Sequence, residues 1–214
     1  MSACTCYLQY VSVIVQKQAE KEHRDKNGGC FNMKKIGIFL ADSCEEIEAL
    51  TVVDIVRRAK FEIVMISVTG KKEIIGSHNI HFQAEEQAEE VDYDALDGIV
   101  LPGGMPGTTH LLEHAKVNEV IRKFASDGKL VAAICAAPSV LGAAGLLEGK
   151  HATCHPGWEE KLTGAIVNTT DTVVRDGSII TSRGMGTAVD FGLAIASYFT
   201  DEATVEHVRA GLVY

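Results

Sequence analysis

From residue 33 onward, short apolar runs alternate with longer segments in which apolar residues recur every three or four positions. The first run spans 36–41, and the segment of helical spacing that follows it spans 45–59. These two patterns predict a strand and then an amphipathic helix. Residues 61–68 form a second apolar run without strict alternation, which is typical of a parallel strand covered on both faces.

The same alternation continues to the end of the chain. Asp176-Gly177 stands between two β-prone segments and predicts a hairpin. The remaining predicted elements are strands over 99–101, 130–134, 172–175 and 178–182, helices over 109–115, 117–126, 136–144, 187–199 and 202–209, and a small hairpin within 72–82. Alternating strands and helices predict a doubly wound α/β sandwich with a mainly parallel sheet. We expect residues 33–214 to form this one domain.

Residues 1–32 do not share the pattern. They contain one apolar run, from Tyr7 to Val15, followed by a polar stretch. A secretory signal would place basic residues before its apolar core and a small-x-small cleavage site after it, and neither is found. Met33 directly precedes the first strand, as an initiator would. We therefore expect residues 1–32 to be a disordered extension or the product of a mis-assigned start.

Composition and charge narrow the classes of function. The 214 residues are 46% hydrophobic and carry a formal net charge of -9. That charge repels nucleic-acid phosphates and anionic membrane surfaces, so neither is expected as a partner. Apolar runs of about 20 residues, which a membrane-spanning helix needs, are not found. Six cysteines without the spacing of a zinc ribbon or a disulfide scaffold point to a reducing, cytoplasmic setting.

Cys135 is the strongest candidate for a reactive side chain. It lies between the predicted strand 130–134 and the predicted helix 136–144, and its neighbours are alanines. A sharp strand-to-helix turn needs small neighbours, as the glycines of a G-x-S-x-G elbow show. A sulfur beside a helix N-terminus is expected to favour the reactive thiolate. The alternative is a small buried cysteine that only fills a tight turn.

Two further segments supply candidate partners for Cys135. Gly103-Gly104 ends a predicted strand, and the backbone N–H groups of Gly104 and Ala136 are the predicted pair that holds an oxyanion beside the sulfur. An ordinary glycine turn is the alternative interpretation. His155 follows a short β-prone stretch, and at the next strand end it would act as the base for Cys135. A single histidine is more often a surface residue.

The start of the first predicted helix contains four polar side chains of interest. Ser43 is the predicted N-cap, and Glu45 with Glu46 would complement the helix dipole. Glu48 lies closer to the apolar face, where partial desolvation favours a protonated carboxyl. A protonated Glu48 next to the Cys135 sulfur would donate a proton to it.

Two histidines on one predicted helix have the spacing of metal ligands. His110 and His114 are four residues apart, but the segment lacks the H-E-x-x-H pattern and a third ligand. We interpret both as exposed, and expect neither a metal nor another cofactor.

With these residues placed, residues 33–214 resemble the ThiJ/PfpI family, in particular the branch of the Parkinson-associated protein deglycase. The chain departs from the family pattern at Lys60, where relatives often have Gly, and at Met185, where Pro is usual. The segments that carry the resemblance are Cys44-Glu45-Glu46-Ile47-Glu48, Asp54-Ile55-Val56-Arg57-Arg58-Ala59, Leu101-Pro102-Gly103-Gly104, Ala132-Ala133-Ile134-Cys135-Ala136-Ala137-Pro138, His155-Pro156 and Thr181-Ser182-Arg183-Gly184.

The resemblance implies a flavodoxin-like sandwich of the class I glutamine-amidotransferase type, commonly a homodimer. It makes Cys135 the reactive cysteine, Glu48 the buried acid in contact with it and His155 the nearby histidine, with Gly104 and Ala136 as backbone donors. The implied activity is a glutathione-independent, cofactor-free glyoxalase or protein deglycase. Its substrates would be methylglyoxal-type 2-oxoaldehydes or their early adducts with amines and thiols.

The sequence is also compatible with two other functions. Oxidation of Cys135 to a sulfinate, stabilised by protonated Glu48, would make the protein an oxidative-stress sensor or chaperone. An intracellular cysteine peptidase is the third possibility. Cys44 and Cys154 are expected near the same crevice, where a disulfide with Cys135 is a lesser alternative.

Overall fold

The computed structural model describes residues 33–214, so the expectations for residues 1–32 lie outside it. The described residues contain helices and strands in the predicted alternation. In chain order they are β1 (Lys35–Leu40), α1 (Glu46–Arg58), β2 (Glu62–Ser67), β3 (Glu73–Ile75), β4 (His81–Gln83), β5 (Glu86–Gln87), β6 (Gly98–Leu101), α2 (Gly107–Glu113), α3 (Ala115–Ser126), β7 (Leu130–Ile134), α4 (Pro138–Ala143), β8 (His151–Ala152), β9 (Ile166–Val167), β10 (Val173–Asp176), β11 (Ile179–Ser182), α5 (Ala188–Phe199) and α6 (Glu202–Leu212).

A seven-stranded sheet forms the centre of the domain. Its strand order is β10-β11-β7-β6-β1-β2-β5, and its pairings are parallel except that of β10 with β11. The exception follows from the short turn Gly177-Ser178, because a two-residue turn can join only antiparallel strands. The predicted doubly wound, mainly parallel sandwich is therefore confirmed.

Helices cover both faces of the sheet. Along β1, Ile36, Ile38 and Leu40 join one buried cluster with residues of α1 and α5. Phe39 points the other way, into a second cluster with residues of α2, α3 and α4. Successive side chains of a strand point to opposite faces, so a continuous apolar run is what a strand buried between two helical layers requires. Among residues 33–214, none of the helices is long and apolar enough to cross a bilayer.

The β3–β4 hairpin packs against the loop that leaves β1. The Ser43 N–H donates to the Ile75 carbonyl at 2.7 Å, and the Ile75 N–H donates to Asp42 Oδ1 at 2.9 Å. The Ser77 N–H donates to the Cys44 carbonyl at 2.8 Å. The predicted hairpin therefore supports the loop that starts α1.

Two predicted elements near Cys135 differ from the structure. The helix predicted from residue 136 begins at Pro138, a favoured first helical residue, because Ala136 and Ala137 complete the turn after β7. The β-prone stretch before His155 forms β8, which pairs with β9 in a separate two-stranded sheet. His155 therefore follows a strand end, as predicted, but that strand is not part of the central sheet.

Candidate active site

The carboxyl ends of β1, β6 and β7 meet at one edge of the sheet, where the chain passes into α1, into Gly103-Gly104 and into Cys135. Ligands of open α/β sheets bind at this edge, in the crevice beyond the strand ends. Four of the predicted site residues lie on or directly after these turns, namely Glu48, Gly104, Cys135 and Ala136.

Cys135 has a left-handed backbone conformation, with φ of 65°. A residue with a Cβ atom adopts this region at a cost of about 1–3 kcal/mol, so the surrounding structure must hold it there. The Cys135 N–H donates to the Ser182 carbonyl at 3.0 Å, and the Cys135 carbonyl accepts from the His155 N–H at 2.9 Å. These two bonds fix the turn, and Cys135 as a residue is partly exposed there.

Glu48 is buried directly beside Cys135, with 1% of its surface exposed. Its Oε2 accepts from the Gly103 N–H at 2.9 Å, and the Cys135 thiol lies close enough to lower the pKa of the carboxyl against the effect of burial. A Cβ atom on Gly103 would lie 2.7 Å from both Cys135 Cβ and Glu48 Oε2. Only glycine permits this approach of strand end, acid and sulfur. The predicted contact between Glu48 and Cys135 is present.

Burial dominates the titration of this pair. It raises the pKa of Glu48 to about 7, although the Cys135 thiol and the Gly103 N–H favour the carboxylate. Burial likewise raises the pKa of the Cys135 thiol to about 12, and the Glu48 carboxylate adds to that increase. The expectation that the helix N-terminus makes the thiolate the favoured form is therefore wrong. A thiolate forms most readily when Glu48 keeps its proton, because repulsion between the two anions then disappears.

The predicted oxyanion donors both face the sulfur. The backbone N–H groups of Ala136 and Gly104 lower the pKa of the Cys135 thiol, against the larger effect of burial. Gly104 has φ of 93°, and a Cβ atom there would lie 2.5 Å from the Ser43 carbonyl oxygen. Glycine is therefore required for the turn that aims this N–H at the crevice.

His155 lies at the exposed side of the site. Its segment is held to β11 by the Thr153 N–H, which donates to Thr181 Oγ1 at 2.9 Å. The His155 Nδ1 is 2.9 Å from the Pro156 carbonyl oxygen, which can only accept. Nδ1 therefore carries the proton of the neutral ring, and Nε2 keeps a free lone pair.

Gly184 connects His155 with Glu48. A Cβ atom on Gly184 would lie 3.6 Å from His155 Cδ2 and 3.9 Å from Glu48 Oε1. The structure thus brings Cys135, Glu48 and His155 to one crevice. In the sequence, Gly184 is only the last residue of a segment that carries the family resemblance, and no role in the site is predicted for it.

The family model described as the DJ-1/PfpI family matches residues 34–198. The chain belongs to the DJ-1/PfpI family. Protein dj-1beta of Drosophila melanogaster is 36% identical over 177 residues, covering 82% of this chain and 95% of that protein. A deglycase of Pyrococcus abyssi is 34% identical, with coverage of 71% and 91%. An isonitrile hydratase of Pseudomonas putida is 30% identical, with coverage of 84% and 78%.

Solved structures of the DJ-1/PfpI family show the same fold. The crystal structure of Drosophila melanogaster DJ-1beta superposes with a TM-score of 0.82 at 35% identity, covering 85% of this chain and 98% of that one. Oxidized Toxoplasma gondii DJ-1 has a TM-score of 0.81 at 30% identity, with the same coverage. The chain spans only 41% of two longer relatives, DJ-1 homologs A and B of Arabidopsis thaliana. The fold is the flavodoxin-like, class I glutamine-amidotransferase-like sandwich expected from the resemblance.

In this DJ-1/PfpI chain, the start of α1 differs from the prediction. Glu45 caps the helix in place of Ser43, since its Oε2 accepts from the Glu48 N–H at 2.8 Å. Ser43 has φ of 66° and lies in the preceding turn. The cap thereby fixes the backbone of Glu48.

Glu46 is buried and not a surface residue that only complements the helix dipole. It accepts from the His78 N–H at 2.7 Å and from Ser77 Oγ at 3.1 Å, which ties α1 to the β3–β4 hairpin. Burial alone would raise the pKa of Glu46, but the hydrogen bonds outweigh it and lower the pKa to about 2. The sequence carried no signal for this role, because the partners lie 31 and 32 residues away.

Glu46→Gln is expected to lower the free energy of unfolding by roughly 2 kcal/mol at pH 7, because charge-assisted hydrogen bonds to the hairpin are lost. Folding lowers the pKa of Glu46 from 4.5 to about 2. The stabilisation of the folded state by the Glu46 carboxylate is therefore complete above pH 4.5 and is lost as the pH falls through about 2. Urea unfolding at pH 7 and toward pH 2 measures the difference. Glu73→Gln, an exposed carboxylate of the same hairpin, is the control; an equal loss there would contradict the role of Glu46.

Glu45, Glu46 and His78 also bring potential metal-ligand atoms within 4.8 Å of one another. Their carboxylate oxygens already accept from the Glu48 N–H, the His78 N–H and Ser77 Oγ, so we do not assign a metal there.

Two histidines and two cysteines named in the sequence analysis lie outside the Cys135–Glu48 pair. His110 is exposed as predicted, whereas His114 is partly buried between α2 and α3, so its predicted exposure is wrong. Cys44 and Cys154 are buried free thiols, and burial raises their pKa values to about 12 and about 11. Neither forms a disulfide with Cys135 in this structure.

A separate cleft of about 640 Å³ lies at the amino ends of β1 and β2, away from Cys135. Two ion pairs line it, Arg57 with Glu85 and Lys35 with Glu62, each at 2.8 Å. Each of these charged side chains is neutralised by its ion-pair partner. The cleft therefore has no part in the chemistry proposed for Cys135 at the carboxyl edge of the sheet.

Proposed function

We propose that residues 33–214 form a cysteine-dependent, glutathione-independent glyoxalase or protein deglycase. Its substrates are methylglyoxal-type 2-oxoaldehydes or their early adducts with amines and thiols. The observation that carries this proposal is the Cys135–Glu48 pair, in which one buried acid contacts a sulfur that also faces two backbone donors. The deglycase activity named for the Pyrococcus abyssi relative supports it.

The first step forms a hemithioacetal. With the shared proton on Glu48, the Cys135 thiolate attacks the aldehyde carbon, and a C–S bond forms as the carbonyl π electrons move to oxygen. The N–H groups of Gly104 and Ala136, which face the sulfur, stabilise that oxyanion. Glu48 then donates its proton to the oxygen and becomes a carboxylate.

The second step moves hydrogen between the two carbons. The Glu48 carboxylate removes the proton from the former aldehyde carbon, giving an enediolate. His155 Nε2 transfers the proton of the neighbouring hydroxyl to the oxygen of the adjacent carbon. Glu48 returns its proton to that carbon, and the product is a lactoyl thioester on Cys135.

Hydrolysis completes the cycle. His155 Nε2 accepts a proton from water, the hydroxyl adds to the thioester carbon, and the C–S bond breaks with the electron pair on sulfur. The net reaction is methylglyoxal plus water to lactate, and it consumes no cofactor. The test is proton NMR of methylglyoxal incubated with the purified protein without glutathione. Lactate formation is expected, and its absence would reject the proposal.

His155→Gln is expected to reduce lactate formation by about 10- to 100-fold, because a glutamine amide cannot accept and release a proton as Nε2 does. His151→Gln is the matched control, since His151 is exposed on β8 four residues earlier. The measurement is the initial rate at saturating methylglyoxal. Equal rates for the two variants would remove His155 from the mechanism.

A second candidate function is a redox sensor, which the oxidized state of the Toxoplasma gondii structure favours. Two equivalents of peroxide would convert the Cys135 thiol to a sulfinate with release of two waters, and protonated Glu48 would donate a hydrogen bond to it. Mass spectrometry after mild peroxide, run beside the lactate assay, separates the two functions. Oxidation at Cys135 without turnover would favour the sensor.

The proposal includes a homodimer in the cytoplasm. On α1, Ile47 and Leu50 are 52% and 37% exposed, which gives the helix an apolar surface suited to a second copy. Sedimentation equilibrium tests this, and a monomer at micromolar concentration would contradict it. The free thiols of Cys44, Cys135 and Cys154 fit a reducing compartment.

A further inference from the structure

The turn between β11 and α5 lies against all three proposed catalytic side chains. Its Gly184 is close to two of them, since a Cβ atom there would be 3.6 Å from His155 Cδ2 and 3.9 Å from Glu48 Oε1. The third is held by Ser182, the last residue of β11, whose carbonyl accepts from the Cys135 N–H at 3.0 Å. The groups that fix this turn therefore also bear on the geometry of the site.

Two hydroxyl groups connect the ends of the turn. Thr187 Oγ1 is 2.7 Å from Ser182 Oγ, and Ser182 Oγ is 2.7 Å from the Thr172 carbonyl oxygen. The Gly184 N–H donates to Thr187 Oγ1 at 3.2 Å. Because a carbonyl only accepts, Ser182 donates to Thr172 and accepts from Thr187. The three bonds thus run in one direction, from the Gly184 N–H through Thr187 and Ser182 to the loop before β10.

Thr187 does not use its hydroxyl as a helix cap. It directly precedes α5, where a threonine side chain commonly accepts from an N–H of the first helical turn. Among the described residues, its hydroxyl makes no such bond. The Gly184 carbonyl, 2.9 Å from this hydroxyl, accepts from the Thr187 N–H at 2.8 Å, which leaves the hydroxyl proton for Ser182. The Thr187 side chain therefore stabilises the turn beside the crevice and not the helix.

We propose that the Thr187 hydroxyl is a positioning group for the active site and acts through Ser182 and Gly184. Through Ser182 it holds the carbonyl that keeps Cys135 in its left-handed conformation, with φ of 65°. Through Gly184 it keeps the backbone of the turn against the acid and the histidine of the site. A displacement of about 1 Å in the support of reacting groups lowers turnover about 10²-fold.

The effect of Thr187 on turnover rests on the proposed function, whereas its effect on the backbone of Cys135 does not. Exchange of the Cys135 N–H with deuterium reads that backbone directly, because this N–H is bonded to the Ser182 carbonyl. If the wild type forms no lactate, the proposed function fails, and the exchange experiment still decides this inference.

Thr187→Val removes the hydroxyl and keeps the branched shape, and Thr187→Ser, which keeps the hydroxyl, is the matched control. By NMR at pH 7, we expect about tenfold faster exchange of the Cys135 N–H in Thr187→Val, the size of effect that loss of one hydrogen bond produces. Thr187→Ser is expected to stay within about threefold of the wild type. An unchanged rate in Thr187→Val would overturn the inference.

The Asp97 N–H is the internal reference for this exchange. It donates to the Lys35 carbonyl at 2.7 Å, at the opposite end of the sheet. General destabilisation would accelerate both amides, whereas loss of a positioning group accelerates only that of Cys135. Equal acceleration of the two amides in Thr187→Val would therefore contradict the inference.

The kinetic readout is the division of the effect between kcat and KM for methylglyoxal. Thr187→Val is expected to lower kcat about 10- to 100-fold and to leave KM within about threefold, because the turn supports the reacting side chains. Thr187→Ser is expected to keep kcat close to that of the wild type. A rise in KM with kcat unchanged would place Thr187 in substrate binding and refute a positioning role.

Ser182→Ala breaks the same bond between hydroxyls from its other side, and it decides the question if Thr187→Val does not fold. We expect Ser182→Ala to accelerate exchange of the Cys135 N–H as Thr187→Val does. The double variant is expected to exchange no faster than the faster single variant, because both substitutions remove one shared bond. An unchanged rate in Ser182→Ala, or additive increases in the double variant, would overturn the inference.

Discussion

Cys135→Ala is expected to reduce kcat/KM for lactate formation from methylglyoxal by roughly 10⁴-fold or more, the size of effect seen when an enzyme loses its nucleophile. The hemithioacetal cannot form without the sulfur, and the Gly104 and Ala136 N–H groups have no covalent intermediate to stabilise. The variant is expected to fold, because alanine meets the same backbone requirement as cysteine at φ of 65°. The measurement is glutathione-free turnover at a substrate concentration well below KM.

Cys154→Ala is the matched control for this loss. Cys154 is buried one residue before His155, so its removal tests whether any cysteine near the crevice serves the reaction. We expect it to keep activity within a few-fold and to lose about 1 kcal/mol of stability from the small cavity. If Cys135→Ala retained activity while Cys154→Ala lost it, the nucleophile would have been assigned to the wrong sulfur.

The order and type of the elements could be predicted because each depends on residues close in sequence. The strand 130–134 matches β7, and the hairpin signal at Asp176-Gly177 produces the antiparallel pair β10–β11. Local patterns do not state which strands pair across the sheet. They also do not distinguish Ala136, in a tight turn, from Pro138, in a helix, since both are compatible with helical composition.

The residues of the candidate site could be predicted better than its electrostatics. Cys135 and Glu48 come together because turns at strand ends collect at one edge of the central sheet, whereas His155 reaches the same place from the loop after β8. The pKa of Cys135 depends on burial and on the distance to Glu48, which a sequence does not contain. Glu46 was misinterpreted for a related reason, because its hydrogen-bond partners come from a distant hairpin.

Glu48→Gln tests the other half of the reacting pair, and we expect about a 10³-fold loss of lactate formation. General acid–base groups contribute about 10²–10⁴-fold, and the proposed mechanism uses Glu48 in three proton transfers. Glutamine keeps the size and an acceptor for the Gly103 N–H, so the loss would report the missing proton and not a collapsed site. Glu206→Gln, an exposed carboxylate on α6, controls for the change in net charge.

The same substitution is expected to change how stability depends on pH. Because burial raises the pKa of Glu48 from 4.5 to about 7, the folded state holds this proton more tightly than the unfolded chain does. Its favourable contribution is complete below pH 4.5 and is lost as pH rises through about 7, a change of about 3 kcal/mol. Glu48→Gln cannot titrate there, so urea unfolding should show the variant gaining stability relative to the wild type as pH increases over that range. A constant difference between the two proteins from pH 4.5 to pH 8 would mean that Glu48 is ionised in the folded protein throughout, and the proton donor of the first step would then have to be sought elsewhere.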